Sequence, residues 1–241
     1  MSEVTICNLA LSHLGDTAEV MSIKPPDSSV QAQLCSRFYW VARNALLEMA
    51  AWGFATRRAK LAPLVPQASD GLDIDENGCL VGPWRHMYAL PSGVFNALAV
   101  QEQCAPGEYE AWFGPVEKDY FPPYPQGYLP VPGAPLVVPQ PFQVETRADG
   151  SQIVLTNVCD AVLRYTTLVE DTTKFSPLFT LALSHLLASM LAGPLIKGDA
   201  GAAAATQQLE MFEALKSSAV TSDANQRKTH VEPAVSWIRG R

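Results

Sequence analysis

Residues 177–196 read PLFTLALSHLLASMLAGPLI, a segment without an acidic, lysine or arginine side chain. About twenty apolar residues are enough to span a membrane, so this segment belongs either in a bilayer or inside a protein core. His185 in its middle and Gly193-Pro194, which we expect to break the helix before it could cross, favour the core. With Ser176 as N-cap, a helix that is apolar nearly all round is predicted to occupy the centre of a bundle.

The first sixty residues predict two more helices. One runs from about Glu3 to Leu14, where apolar residues recur at helical spacing and Gly15 ends it. The other has candidate N-caps at Asp27, Ser28 and Ser29 and reaches about Trp52. Its apolar side chains form two adjacent rows: Leu34, Phe38, Val41, Ala45, Met49 and Trp52 in one, and Cys35, Tyr39, Ala42 and Leu46 in the other. So wide an arc predicts that this helix is covered on more than one side.

A fourth helix is expected after Gly193-Pro194, from about Asp199 to Val220. It carries the alanine run Ala202–Ala205, which permits close approach in a tight helix pair or in a repeated subunit contact. Residues 221–241 are polar, and we expect them to be extended. Because Trp237 and Ile238 would be unusual side chains to leave in water, a docking role for this tail is the favoured interpretation.

Between the helical parts, residues 61–168 are predicted to be rich in β-strands. Short runs such as MYALP, NALAV, QIVLTNV and AVLRYTTLV favour strands. Asp149-Gly150, between Phe142–Thr146 and Gln152–Leu155, predicts a hairpin because both residues tolerate positive φ. The proline-rich stretch 121–141 forbids helix and predicts an extended surface arm, which is either a stiff linker or a segment that packs on a neighbouring subunit.

Composition and charge restrict the class of protein. The 241 residues are 48% hydrophobic and 17% charged, as expected for a globular protein, and the net charge of -7 argues against broad binding to nucleic-acid phosphates. The N-terminus has no basic region before an apolar core, so it is a poor secretory signal and a cytoplasmic protein is expected. The cysteines, which we predict to be reduced and mostly buried, are Cys7, Cys35, Cys79, Cys104 and Cys159.

Residues that could carry catalysis give weak signals. His185 is interpreted as a hydrogen-bonded core residue, and His13 as a side chain whose positive charge would suit a helix C-terminus. The histidines lack the spacing of a metal site, and the motifs of serine hydrolases, phosphate loops and dinucleotide sites are absent. An acidic loop (Asp70, Asp73, Asp75 and Glu76) has the wrong register for calcium. Four carboxylates could include a pair for glycoside cleavage: Glu108, Glu110, Glu117 and Asp119.

Basic residues stand in two groups. Arg57, Arg58 and Lys60 follow the second helix, where such charges usually face solvent or support a helix end. The other group lies in the tail, where cations could pair with an acidic groove of a partner while Trp237 fills a pocket. The tail residues predicted to bind a partner are Arg227, Lys228, Trp237, Ile238, Arg239 and Arg241.

Several short motifs follow one another along nearly the whole chain. In the N-terminal part they are NLALSHLG, the step from Met21 to Ile23, the helix positions Ala32, Cys35, Tyr39, Arg43, Leu46 and Leu47, and Trp52-Gly53-Phe54-Ala55 with Arg57-Arg58. In the middle they are Trp84, Tyr88-Ala89-Leu90-Pro91, Thr156-Asn157 and Tyr165. In the C-terminal part they are Asp171, Phe175, Pro177, Phe179, Pro194-Leu195, Asp223-Ala224-Asn225-Gln226 and the terminal SWIRGR. By their order and spacing, the chain resembles the head-to-tail adaptor (tail tubular protein A) family of tailed bacteriophages.

The resemblance implies a fold and a set of partners. The fold would be α+β, mainly α, with a bundle of about four helices, a β-rich insertion and an extended C-terminal tail. The subunits would form a ring of about twelve copies below the portal, joining the capsid to the tail and continuing the DNA channel. Partners would be other copies, the portal protein and the tail nozzle or tail tube protein, with double-stranded DNA passing through without sequence specificity. The protein would be no enzyme, would need no cofactor or metal, and would pass from host cytoplasm to the virion neck.

The implied domains and the alternatives complete these expectations. The helical domain would comprise residues 1–60 and 169–220, the insertion 61–168 with its arm at 121–141, and the docking tail 221–241, which would reach into the portal. A head-completion or stopper protein of a long-tailed phage is one alternative. A virion-associated cell-wall hydrolase, relying on the acidic residues of the insertion, is the other.

Overall fold

The structure is a computed structural model of the chain, and it describes residues 1–67, 74–75, 80–102 and 139–226. These residues form a mixed α+β protein with four α-helices and two antiparallel sheets. The chain divides into two compact units. The described part of unit 1 is residues 1–56 and 166–226, and that of unit 2 lies between residues 57 and 165.

Unit 1 contains the four helices: α1 (Glu3–His13), α2 (Val30–Glu48), α3 (Pro177–Ile196) and α4 (Gly198–Asn225). Three of them begin at serines whose side chains accept a backbone amide of the first turn, namely Ser2, Ser29 and Ser176. Such caps satisfy amides that have no partner within the helix. Helix α3 packs against each of the other three helices.

Helix α3 is the apolar core helix that the sequence predicted, but it ends later than expected. Among the described residues it is the one helix long and apolar enough to span a membrane, and most of it is buried in the protein. Gly193-Pro194 does not break it, because the helix continues to Ile196. Pro194 lies in the last turn, so its missing amide removes at most one helical hydrogen bond, to Met190, and the chain turns only at Lys197 and Gly198, both with positive φ.

Helix α2 ends earlier than expected, at Glu48 instead of Trp52. Trp52 lies beyond the helix, and its indole Nε1 donates a hydrogen bond of 2.8 Å to the carbonyl oxygen of Leu46. That carbonyl is in the last turn and has no partner within the helix, so the indole caps the C-terminus. Of the two apolar rows, the one containing Cys35, Tyr39, Ala42 and Leu46 is buried.

Helix α4 starts near the expected residue but continues to Asn225, five residues beyond Val220. The close approach to α3 is made by the buried Gly201, where an added Cβ would lie 3.1 Å from the carbonyl oxygen of Ala192. Ala202 and Ala203 are exposed and do not make this contact, so the alternative of a repeated subunit contact at the alanine run stays a prediction. The buried side of α4 is a narrow seam of Gly201, Gln208, Phe212 and Ala219.

Unit 2 contains the strands β1 (Thr56–Lys60), β2 (Ala62–Leu64), β3 (His86–Ala89), β4 (Val94–Glu102), β5 (Phe142–Thr146), β6 (Gln152–Thr156) and most of β7 (Ala161–Thr167). The sheet orders are β1-β7-β4 and β2-β3-β6-β5. The Asp149-Gly150 hairpin is confirmed, since β5 and β6 pair antiparallel and Gly150 has φ +83°. Strand β6 is central and apolar on both faces, with Val154 in one cluster and Ile153 and Leu155 in the other.

Several expectations lie outside the described residues. They concern the proline-rich arm up to residue 138, all of the acidic loop except Asp75, and the four carboxylates considered for glycoside cleavage. The six tail residues predicted to bind the portal, Arg227 to Arg241, also lie outside the described part of the chain. These expectations stay predictions.

Candidate functional site

The outer side of α2 carries an apolar stripe that the described residues leave exposed. Val30, Val41 and Met49 are 63%, 55% and 50% exposed. Leu34, Phe38 and Ala45 lie between them at helical spacing and are half-buried. Exposed apolar side chains that line up along a helix, instead of being scattered, are typical of a surface that contacts another molecule. We name these six residues the α2 stripe; they include five of the six residues of the row that the sequence predicted to be covered.

The second uncovered apolar surface lies on α4. Leu209, Met211 and Val220 are exposed, as are the small side chains Ala202 and Ala203. Because α4 buries only its narrow seam, most of its 28 residues face solvent in the single chain. The helix is also acidic, with Asp199, Glu210, Glu213 and Asp223 against the single cation Lys216. Ala202, Leu209 and Val220 share one side of the helix by their spacing, whereas Met211 lies on the opposite side, and we name these three residues the α4 face.

Helix α4 is fixed near its C-terminal end by a contact that the sequence did not reveal. Both carboxylate oxygens of Asp223 accept the backbone N–H of Gly53, at 2.9 and 3.0 Å. A Cβ at Gly53 would lie 3.0 Å from the same carboxylate, so a glycine suits this position. Residues assigned to the tail by sequence therefore belong to the folded part of unit 1.

A polar junction inside unit 1 joins α1, α3 and α4. The rings of His13 and His185 stack with their centroids 3.9 Å apart. His185 Nδ1 and the Oε1 atom of Gln208 are 2.7 Å apart, and Gln208 Nε2 donates to the carbonyl oxygen of His13 at 3.1 Å. An amide oxygen only accepts, so His185 carries its proton on Nδ1. This confirms His185 as a hydrogen-bonded core residue.

The tautomer of His13 follows from its neighbour Ser184. The Ser184 hydroxyl donates to the carbonyl oxygen of Leu181 at 2.8 Å, so it accepts from His13 Nε2 at 3.0 Å. Each ring therefore uses one N–H in its neutral form. Burial, followed by the charge of His185, lowers the pKa of His13 below its ordinary value of 6.5. His13 lies in the last turn of α1, as expected, but stacking against another imidazole disfavours the positive charge expected there.

Acid should weaken unit 1 through this histidine pair. Since the pKa of His13 is lower in the folded than in the unfolded protein, the unfolded chain takes up the proton first as pH falls. The stabilisation is complete above the ordinary pKa of 6.5 and is lost as pH falls below it. We expect the urea midpoint to drop between about pH 7.5 and about pH 5.5, and this drop to shrink in His13→Gln. An equal drop in both proteins would contradict this role.

Arg43, the arginine among the motif positions of α2, is buried. Arg43 is 2% exposed, lies 3.6 Å from the carboxylate of Glu170, and sits over the Trp40 ring at 4.9 Å. Burial raises the pKa of the neighbouring Tyr39 well above its ordinary value. The residues of α2 that belong to the family-like motifs are therefore buried in the core of unit 1. Their spacing in the sequence did not show whether they pack inside the protein or bind a partner.

The first basic group of the sequence lies in unit 2. Arg57, Arg58 and Lys60 are exposed on β1, and Lys60 pairs with Asp160 at 2.8 Å. They face solvent, as such charges usually do, and no clustered basic surface forms from them within the described residues.

The groove found among the described residues offers little for catalysis. A groove beside the hairpin is lined by Leu90–Val94 together with Thr146, Gly150 and Gln152, and none of these side chains titrates. Within the same described part, no group of three or more His, Cys, Asp or Glu side chains is arranged to hold a metal ion. The two uncovered apolar surfaces of unit 1 are therefore the features that most resemble a functional site.

The comparisons with known proteins give no match: no family model fits the sequence, and no curated protein is significantly similar to it.

Proposed function

We propose that the chain is a head-to-tail adaptor subunit of a tailed bacteriophage. The subunits form a ring below the portal, join the capsid to the tail and continue the DNA channel. In this proposal the helices of unit 1 form a bundle, unit 2 is the β-rich insertion, and no reaction is catalysed.

The presence of two different uncovered apolar surfaces on unit 1 is the observation that supports the proposal best. A ring repeats one head-to-tail contact, so each subunit needs two unlike surfaces that fit each other. Apart from Ala45, the α2 stripe consists of larger aliphatic and aromatic side chains. The α4 face combines the small side chain of Ala202 with Leu209 and Val220, which lets a neighbouring helix approach closely.

The charge of the chain also suits a conduit for DNA. With a net charge of -7 and an acidic α4, the subunit lacks the lysine and arginine surplus that would hold phosphates by releasing counterions. A ring of such subunits lets DNA slide through without strong binding.

In the proposal the portal is contacted by the C-terminal tail through Arg227, Lys228, Trp237, Ile238, Arg239 and Arg241. An aromatic anchor flanked by cations is a composition typical of the energetically dominant part of an interface. The tail would order on docking, so that assembly proceeds in sequence.

The test is the mass of the purified protein alone and after mixing with the portal ring, by light scattering. The full chain is compared with one ending at Gln226, a position chosen because α4 runs to Asn225 and Asp223 holds Gly53. We expect the full chain to bind the portal at a fixed stoichiometry and the shortened chain to lose at least about tenfold in affinity.

Other outcomes would favour the alternatives. Failure of both chains to bind the portal would contradict the adaptor proposal. Binding to a tail or head-completion protein instead would favour a stopper. Degradation of purified peptidoglycan by the full chain would favour a hydrolase.

A further inference from the structure

Unit 2 places an exposed thiol against an imidazole ring. The Cys159 Sγ atom lies 3.2 Å from the Nε2 atom of His86. Cys7 and Cys35 are buried, as expected for most of the thiols, whereas Cys159 is exposed. A nucleophile and a base within hydrogen-bonding distance are the starting arrangement of thiol chemistry in proteins.

The segment before Cys159 is attached to the segment that carries His86. The backbone N–H of Arg85 donates to Asn157 Oδ1, and Asn157 Nδ2 donates to the carbonyl oxygen of Pro83, both at 2.9 Å. His86 itself pairs with Thr156 in the register of β3 and β6. Asn157 therefore closes a reciprocal bridge directly beside the pair.

Two further contacts fix the turn on either side of the thiol. Tyr88 donates its hydroxyl to the carbonyl oxygen of Val158 at 2.7 Å. On the other side, Asp160 adopts φ +52° and pairs with Lys60 at 2.8 Å. The turn thus presents a preorganised thiol to solvent.

We propose that Cys159 and His86 form a reactive thiol site that is modified by small disulfides. His86 Nε2 takes the thiol proton, and the Cys159 sulfur attacks one sulfur of the disulfide. The new S–S bond forms as the old one breaks, and the leaving thiolate takes the proton from the imidazolium. The products are a mixed disulfide on Cys159 and one free small thiol, so the disulfide itself is the oxidant. The site does not depend on the adaptor function.

The test uses dithionitrobenzoate, a coloured aromatic disulfide, on the full chain with Cys79→Ser and Cys104→Ser. Those two cysteines lie outside the described residues, and their removal leaves Cys7, Cys35 and Cys159. We expect one thiol to react fast in the folded protein and two only after unfolding. Cys159→Ser should abolish the fast phase. At about pH 7, His86→Gln should slow it roughly tenfold or more, because an ordinary thiol is mostly protonated there.

The pH profile separates an activating imidazole from a merely structural contact. The difference between His86→Gln and its parent should shrink at about pH 9, where the thiolate forms without a base. If His86→Gln does not fold, Asn157→Ala, which releases the bridge beside the thiol, should slow the fast phase in its place. A folded parent that reacts at about pH 7 no faster per thiol than the urea-unfolded protein overturns the proposal, as does an unchanged rate in a folded His86→Gln.

Discussion

Replacing Trp52 by alanine is expected to lower the free energy of unfolding of unit 1 by about 3–5 kcal/mol. Trp52 is 1% exposed and meets Phe179 edge to face, with ring centroids 4.9 Å apart. Alanine would leave a large cavity in this aromatic contact. It would also leave the carbonyl oxygen of Leu46 without the indole N–H that caps α2. Urea unfolding followed by circular dichroism measures the loss.

Two variants separate the causes of that loss. Trp52→Phe keeps most of the packing but removes the indole N–H, so we expect a smaller loss of about 1–3 kcal/mol. Met49 lies on the same stretch of chain but is half exposed, so Met49→Ala should change the free energy of unfolding by less than about 1 kcal/mol. Equal losses in Trp52→Ala and Met49→Ala would show that the indole contacts contribute little.

Placing a carboxylate in the α2 stripe should prevent ring assembly without unfolding the subunit. Val41 is 55% exposed, so Val41→Glu is well tolerated in the isolated chain, and glutamate is a good helix former. In the proposed ring the carboxylate would be buried against a neighbour without a cation, at a cost of about 3 kcal/mol or more. We expect recruitment to the portal to weaken at least about a hundredfold, as measured by light scattering.

The matched control is Gln33→Glu on the same helix. Gln33 is exposed and lies off the stripe, so this variant adds the same charge with almost no change of shape. It should be recruited like the parent, and both variants should unfold at similar urea concentrations. Equal recruitment of Val41→Glu and the parent would remove the α2 stripe from the proposed interface.

Local chemistry made much of the fold predictable. The serine caps of α2 and α3, the stop at Gly15, the apolar length of α3 and the Asp149-Gly150 hairpin each depend on neighbours a few residues away. Caps, turns and periodicity act over that range, so sequence alone suffices for them. Helix ends were less predictable. The sequence did not show that Trp52 lies beyond α2 and bonds back to Leu46, or that α3 continues past Pro194 to Ile196.

Which apolar row of α2 is covered could not be read from the sequence. Both rows have helical periodicity, and only the packing of the other helices of unit 1 decides that Tyr39 and Leu46 are buried while Val41 and Met49 are exposed. The uncovered surface, and with it the candidate site, therefore appears only when the helices are packed.

The sequence by itself determined the element types, the central helix and the absence of familiar catalytic motifs. The tertiary structure alone decided the pairs that carry chemistry: His13 with His185, Asp223 with Gly53, and Cys159 with His86. These partners are far apart in the chain, and whether two such side chains meet depends on how whole helices and strands pack. Burial, hydrogen bonding and neighbouring charge, which set the reactivity of these groups, exist only after that packing.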